Sequence, residues 1–227
     1  AHMDLNGNTK YNIMRITYAI TCADEEKEFG KLYENLRINK RDEDNILVLV
    51  DENKCIPGTS FHDSLLELHK GRKIKLISGN FDGHFGNWKN KLIEHPLCKD
   101  YLIFLDADER LPPQLIDDLP LILELNPDVD VFGLPRQNFV KGITQEDLNM
   151  WGWNIDDNQR INWPDFQYRI MRNKPNIQWV GQVHETIVCP GIKTTLPDEE
   201  CYSILHYKDI EKQRLQNSRY KTGDYSK

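Results

Sequence analysis

Four short apolar runs divide the first half of the chain at regular intervals. They are "NIMRITYAIT" (12–21), "NILVLVDE" (45–52), "KIKLISG" (73–79) and "DYLIFLDAD" (100–108). Each is rich in β-branched residues, too short for a helix, and reads as a strand buried on both faces of a sheet. Between them lie segments with helical character, at 25–38, 60–70 and 83–95. In the first of these, Phe29, Leu32, Tyr33 and Leu36 recur at three- and four-residue spacing, which puts them on one face. Ser60 is placed to cap the second. Strand, helix, strand, helix is the pattern of a parallel sheet with right-handed crossovers, so the fold class expected is α/β.

The second half changes character. A helix is expected from Pro112 to about Leu125, then strands at 130–140, 166–173, 177–188 and 201–207. A polar stretch with Trp151, Trp153 and Trp163 reads as a loop, and the tail from Asp209 to Tyr220 as a polar helix. The leading Ala-His-Met reads as a cloning remnant. Nothing resembles an interdomain linker, so residues 4–227 are expected to form a single domain. Its two halves run from about 12 to 110 and from about 111 to 208, with the helix at about 209–220 following.

Composition narrows the function classes. A net charge of -7 gives no whole-molecule attraction for polyanions, although a local basic groove remains compatible with it. No apolar run reaches the roughly 18–20 residues of a membrane helix, and no secretory start is visible, so a cytoplasmic location and no integral membrane segment are expected. Five scattered cysteines without a C-x-x-C pair argue against a disulfide framework and a cysteine zinc site.

Parallel sheets bind ligands outside the carboxyl ends of their strands. Three such ends carry polar residues here, at 21–24, 51–53 and 106–108. The last is an Asp-x-Asp. In extended backbone Asp106 and Asp108 point to the same side, and two close carboxylates are relieved by a divalent cation. Mg²⁺ and Mn²⁺ prefer oxygen donors and are often completed by substrate phosphates, which suits a nucleoside diphosphate. A solvated acidic turn is the plainer alternative.

The order of these pieces resembles the inverting glycosyltransferases of family two. "ITYAITCADEE" resembles that family's first strand and turn, and Asp51 ends a second strand as its uracil-binding aspartate does. "GNWKNKLIEHPLCKDYLIFLDADE" resembles its Arg-Asn, helix and Asp-x-Asp run. "PDFQYRIMRNKPNIQWVGQVHE" resembles its Arg-Leu-Phe-Arg to Val-His-Glu segment, and "ILHYK" a later His-Tyr-Gly. The resemblance spans roughly 13–210. It implies a GT-A type, Rossmann-like, mostly parallel sheet flanked by helices, with a smaller mixed or antiparallel acceptor-side region in the second half. The first half is then the nucleotide-binding half.

By the same resemblance, Thr21, Asp24 and Asp51 lie near base and ribose. Asp106 meets ribose or metal, Asp108 holds the metal, and His206 is a further metal contact. Glu185 is the catalytic base. Asp24 stands where the family has Asn, and Lys89 where it has Arg, which keeps charge toward a diphosphate but loses the bidentate fork. The implied activity is a metal-dependent, inverting glycosyltransferase of the hexosyltransferase type. It uses Mn²⁺ or Mg²⁺ and a nucleotide-sugar donor, with a uridine diphosphate sugar as best guess.

Several residues keep plainer readings beside these. Glu185 pairs with Arg169 or Arg172, His184 packs locally, His206 is a satisfied core histidine, and Asp51 is a turn residue. Glu109 is a solvated or Arg110-paired acid, or a support that orients the loop. Trp153 and His184 are acceptor-side candidates, because an exposed aromatic face can stack on a sugar; the tryptophans are otherwise core or loop anchors. The acceptor stays open among glycan, lipid-linked sugar, protein and modified nucleic acid. Competing functions are a non-catalytic nucleotide- or sugar-binding module, a sugar nucleotidyltransferase, and a phosphatase of the haloacid-dehalogenase type. The nucleotidyltransferase would need a Gly-rich phosphate loop that "TCADEE" lacks. The phosphatase family places its Asp-x-Asp after the first strand.

Overall fold

In the computed structural model, residues 2–3, 9–10 and 14–222 are described. Two short strands, β1 (His2–Met3) and β2 (Thr9–Lys10), pair antiparallel. The main series then follows as β3 (Ile16–Cys22), α1 (Glu26–Asn39), β4 (Asn45–Asp51), α2 (Ser60–Lys70), β5 (Lys75–Gly79), α3 (Phe85–Ile93) and β6 (Tyr101–Asp106). Strands β6, β3, β4 and β5 lie side by side and parallel. Of the expected first strand, Asn12 and Ile13 lie outside the described residues.

Alternation along the strands sorts the core onto two faces. Ile16, Tyr18 and Ile20 of β3 pack with Phe29, Leu32 and Leu36 of α1 and Leu65 of α2, with Tyr33 at the margin. Ala19, Leu47, Leu49, Leu102 and Phe104 meet Trp88 and Leu92 of α3 on the other face. Each fully buried Leu or Ile contributes about 1.5–3 kcal/mol by leaving water. One expectation fails here. β5 is an edge strand with exposed positions, not one buried on both faces. The cap of α2 is also Thr59, whose hydroxyl accepts from the His62 amide, while Ser60 turns its hydroxyl to Glu26.

The chain continues through β7 (Glu109–Arg110), α4 (Pro113–Leu125), β8 (Val129–Leu134), β9 (Arg136–Lys141), α5 (Gln145–Trp151), β10 (Gln167–Arg172), β11 (Gln178–Val180), β12 (Thr186–Val188), β13 (Ile192–Thr195), β14 (Ile204–Asp209) and α6 (Ile210–Thr222). The seven-stranded sheet has the order β13-β8-β10-β6-β3-β4-β5 and is mostly parallel, with β10 antiparallel to both neighbours. A smaller three-stranded sheet, β7-β14-β9, stands at its carboxyl edge.

Three expected elements are divided. The 130–140 run breaks at Pro135, which has no N–H for a ladder, so β8 joins the large sheet and β9 the small one. The 177–188 run is a hairpin, β11 and β12, around a loop at 181–185. The 201–207 run opens with a 3₁₀ turn, Glu200–Tyr202, before β14. The tryptophan-bearing stretch, expected as loop, contains α5. Thr144 and Asp147 close a reciprocal capping box at its start. β7 and β13 are additions that no local pattern signals.

Candidate active site

The registers of β3, β6, β7 and β14 build the acidic centre. Thr21 lies opposite Asp106, and its hydroxyl donates to Asp106 Oδ1 at 2.9 Å. Glu109, three residues on, is completely buried. Its Oε2 accepts from the Asp106 amide at 2.9 Å, and its Oε1 accepts from Arg169 at 2.9 Å and Arg136 at 3.4 Å. Of the three readings of Glu109, the support of the loop describes this arrangement. Arg110 turns away to Glu28.

β7 pairs antiparallel with β14, Glu109 opposite His206, and this pairing delivers His206 to Asp108. His206 Nε2 stands 3.6 Å from Asp108 Oδ1. His206 Nδ1 is 2.8 Å from the side-chain oxygen of Asn138 on β9. An amide oxygen only accepts, so Nδ1 donates to Asn138, and Nε2 is the ring atom that faces the carboxylate. Two donors each about 2.1 Å from one ion lie about 3–4 Å apart. A carboxylate oxygen and an oriented imidazole nitrogen at this spacing fit a shared divalent cation. Among the described residues, no three His, Cys, Asp or Glu side chains are gathered to hold a metal unaided. Burial opposes charge on Asp108, yet His206, Lys208 and Lys212 outweigh it and hold the carboxyl well below the usual carboxylate range. Burial lowers the Lys208 ammonium from its ordinary value, and Asp108 opposes that.

A second centre forms where α3 grips the hairpin loop. The first amides of a helix have no partner within it. Here Phe85 N–H donates to Gln182 C=O at 2.9 Å and Gly86 N–H to Gly181 C=O at 3.0 Å. A Cβ at Gly86 would lie 2.8 Å from that Gly181 oxygen. Asn90 exchanges hydrogen bonds with the Trp179 backbone at 2.9 and 2.8 Å. Lys89, between them, is buried and reaches Glu185 Oε1 at 2.7 Å, its ammonium 4.5 Å from the centre of the Trp179 ring. The loop bends through Gly181 at φ 102° and His184 at φ 52°. The strand therefore does not continue through His184 and Glu185, and the partner of Glu185 is Lys89 rather than a direct bond to Arg169 or Arg172.

Both centres open into one cleft of about 740 Å³ between the two sheets, the hairpin loop and α6. Thr21, Asp24, Asp106, Asp108, Trp153, His184, Glu185 and His206 all line it. Asp51 and Lys89 do not. Asp51 is buried and accepts from the amides of Asn53 at 3.1 Å and Phe81 at 3.0 Å, tying the turns after β4 and β5 together. Lys89 lies beneath Glu185. Trp153 sits beside Trp151, ring centroids 4.8 Å apart, on the wall shared with Val140 and Ile161.

Sequence reading did not single out Glu25 or Asn138 at the site, nor did it bring Lys208 or Lys212 to Asp108. Lys212 Nζ lies 3.6 Å from Asp108 Oδ2 and 3.7 Å from Glu25 Oε1. The available signal was the His206-x-Lys208 spacing on a strand, which puts both side chains on one face.

No protein-family model matches the chain, and no curated protein matches it in sequence. Solved structures do. S. aureus TarS superposes with a TM-score of 0.56 at 14% identity, covering 91% of this chain and 39% of that one. S. aureus TarS 1–349 gives 0.53 at 13% identity, covering 91% and 64%. The same fragment in complex with UDP gives 0.54 at 14% identity, covering 87% and 61%. This chain spans less than two thirds of the length of each. At such identity the likeness speaks to architecture alone, and that architecture is a GT-A-like α/β fold with a mostly parallel sheet flanked by helices.

Proposed function

We propose that this protein transfers a sugar from a nucleoside diphosphate sugar, with uridine as the favoured base, to an acceptor hydroxyl with inversion at the anomeric carbon. The observation that carries this reading is the convergence of Asp106, Asp108, His206 and Glu185 on one cleft at the carboxyl ends of β3 and β6. The UDP complex of S. aureus TarS 1–349, a protein of the same fold, supports the choice of nucleotide.

Asp108 and His206 would hold a divalent cation, which when bound supplies Lewis-acid stabilisation of charge on the departing diphosphate. Asp106 is kept in place by Thr21 and by Glu109 through its amide, ready for ribose or metal. Lys89 fixes Oε1 of Glu185, and Oε2, which has no hydrogen-bond partner among the described residues, takes the proton from the attacking hydroxyl. A positioned base of this kind contributes about 10²–10⁴-fold. Attack opposite the diphosphate needs only this one base and no covalent intermediate. Trp153 lies on the acceptor side, where an aromatic face can pack on a sugar ring.

The test is a screen of nucleotide sugars for hydrolysis and transfer, with Mn²⁺, with Mg²⁺ and with chelator. Metal-stimulated release of nucleoside diphosphate is the expected result, and Glu185→Gln should keep donor binding while losing about 10²–10⁴-fold in transfer. A protein that binds nucleotide sugars but never turns them over is instead a binding module. Near-parental transfer by Glu185→Gln removes Glu185 as the base.

A further inference from the structure

His206 and Lys208 lie two residues apart on β14, so both side chains leave the same face of the strand. His206 meets Asp108, and Lys208 is the next side chain along the cleft wall. Its partners are unusual for a partly buried ammonium. Its hydrogen bond, at 2.7 Å, goes to the uncharged amide oxygen of Gln216 on α6. Among the described residues, no carboxylate comes within 4.0 Å of it.

The neighbouring charges compensate it only in part: Asp108 and Asp106 favour its charge without contact, and two cations oppose them. Arg136, which repels Lys208, is committed to Asp165 at 2.7 Å. Lys212, which also repels it, hangs between Glu25 and Asp108 at 3.7 and 3.6 Å, beyond hydrogen-bond length to either. A partly buried cation without a carboxylate in contact is costly, and a cleft that keeps Lys208 in this way, beside a half-exposed Lys212 held only by long ion pairs, is arranged for an anion that arrives with a ligand.

We propose that Lys208 and Lys212 form a diphosphate clamp: they bind the phosphate groups of the nucleotide and supply positive charge to the leaving group alongside, and independently of, a metal at Asp108 and His206. This rests on the glycosyl-transfer reading and adds to it a second, protein-borne source of leaving-group stabilisation. Lys208 is fixed on a strand and held by Gln216. Lys212 sits on a helix, about half exposed, and swings from Glu25 and Asp108 to the phosphate when it arrives. A lysine ammonium suits this role as a compact point charge.

The test is calorimetric binding of UDP and UMP to the whole chain in chelator, where no metal contributes. Parental protein should bind UDP more tightly than UMP. Lys208→Met should weaken UDP by about tenfold to a hundredfold and UMP by far less, as expected for one lost charge-assisted hydrogen bond. Lys208→Arg should recover part of the loss. If Lys208→Met does not fold, Lys212→Ala, at a half-exposed position, should still cost UDP about three- to tenfold. Parental UDP affinity in the folded variants overturns the clamp and moves the expected anion to the acceptor. Absence of UDP binding by the parental protein, with Mn²⁺ as well as in chelator, overturns the clamp by removing the glycosyl-transfer reading beneath it.

Discussion

Glu185 and Asp108 border the same cleft and are held in opposite ways. Glu185 is locked. A buried lysine touches it at 2.7 Å, and its loop is gripped by the first turn of α3. Asp108 is loosely attended. His206 and Lys212 both stand 3.6 Å from it, and Lys208 acts on it from further away. The tight arrangement suits a group whose position must not vary, as a proton acceptor requires. The loose one leaves space between ligand atoms and lets one cation be exchanged for another. Under the proposed function, one cleft thus pairs a rigid wall for catalysis with an adaptable wall for binding.

The sharpest way to break the comparison is at Asp108. Asp108→Ala should abolish Mn²⁺-dependent donor binding and lower transfer by at least about 10³-fold, since a Lewis acid at a leaving group is worth several kcal/mol. Calorimetric titration that finds unchanged donor affinity in Mn²⁺ would take Asp108 out of the metal site. The next largest effect belongs to Lys89. Lys89→Met leaves Glu185 without its partner, and breaking such a pair costs about 3 kcal/mol of stability, the low end for buried ion pairs because Glu185 borders the cleft. It should lower kcat with donor KM nearly constant, and Lys89→Arg should restore part of kcat. A stable Lys89→Met variant with parental kcat would show that the tight wall is not needed for chemistry.

How much of this was legible in the sequence follows from distance along the chain. The first-half strands and helices, and the two faces of the core, rest on local periodicity, which a sequence displays directly. The Asp-x-Asp at a strand end was visible for the same reason. The partners of these residues were not. Lys89 and Glu185 are 96 residues apart, Glu109 and Arg169 are 60 apart, and no local pattern joins them. The β7–β14 pairing that brings His206 to Asp108 is of the same kind. The division of the 177–188 run was readable in principle, since Gly181 inside a strand pattern marks a bend or a close backbone approach. Choosing Thr59 over Ser60 as a cap was not, because both residues favour that position.

A smaller perturbation tests the grip rather than the charge. Gly86→Ala puts a methyl group 2.8 Å from the Gly181 oxygen and 3.1 Å from Val180 carbonyl carbon. Alanine favours a helix, but here the neighbour is backbone and cannot swing aside, so overpacking wins. The expected cost is about 1–3 kcal/mol, or about 2–4 °C of Tm for each kcal/mol in a chain of this size. The comparison predicts that kcat falls while UDP affinity in chelator does not, because the displaced loop carries Glu185 and not the lysines proposed to bind phosphate. Equal losses in both would mean that the two walls move as one body.

The smallest effect concerns how the adaptable wall is tethered. Arg214 on α6 donates through Nε and Nη2 to Asp147 on α5 at 2.9 and 2.8 Å, and Asp147 also caps α5 with Thr144. Arg214 first, then Thr144, hold the Asp147 carboxyl down at about 2 from its ordinary 3.8. The folded state therefore binds this proton less readily than the unfolded state. Stability from the contact is fully present above about pH 4 and is lost as pH falls through about 2. Asp147→Asn should lower Tm slightly at pH 7 and flatten the decline of Tm between pH 4 and 2. It should also loosen α6, so UDP affinity in chelator should drop slightly while Glu185-dependent turnover at saturating donor holds. An unchanged acid slope in the variant would show that α6 is tethered elsewhere, and the adaptable wall would then owe its position to β14 alone.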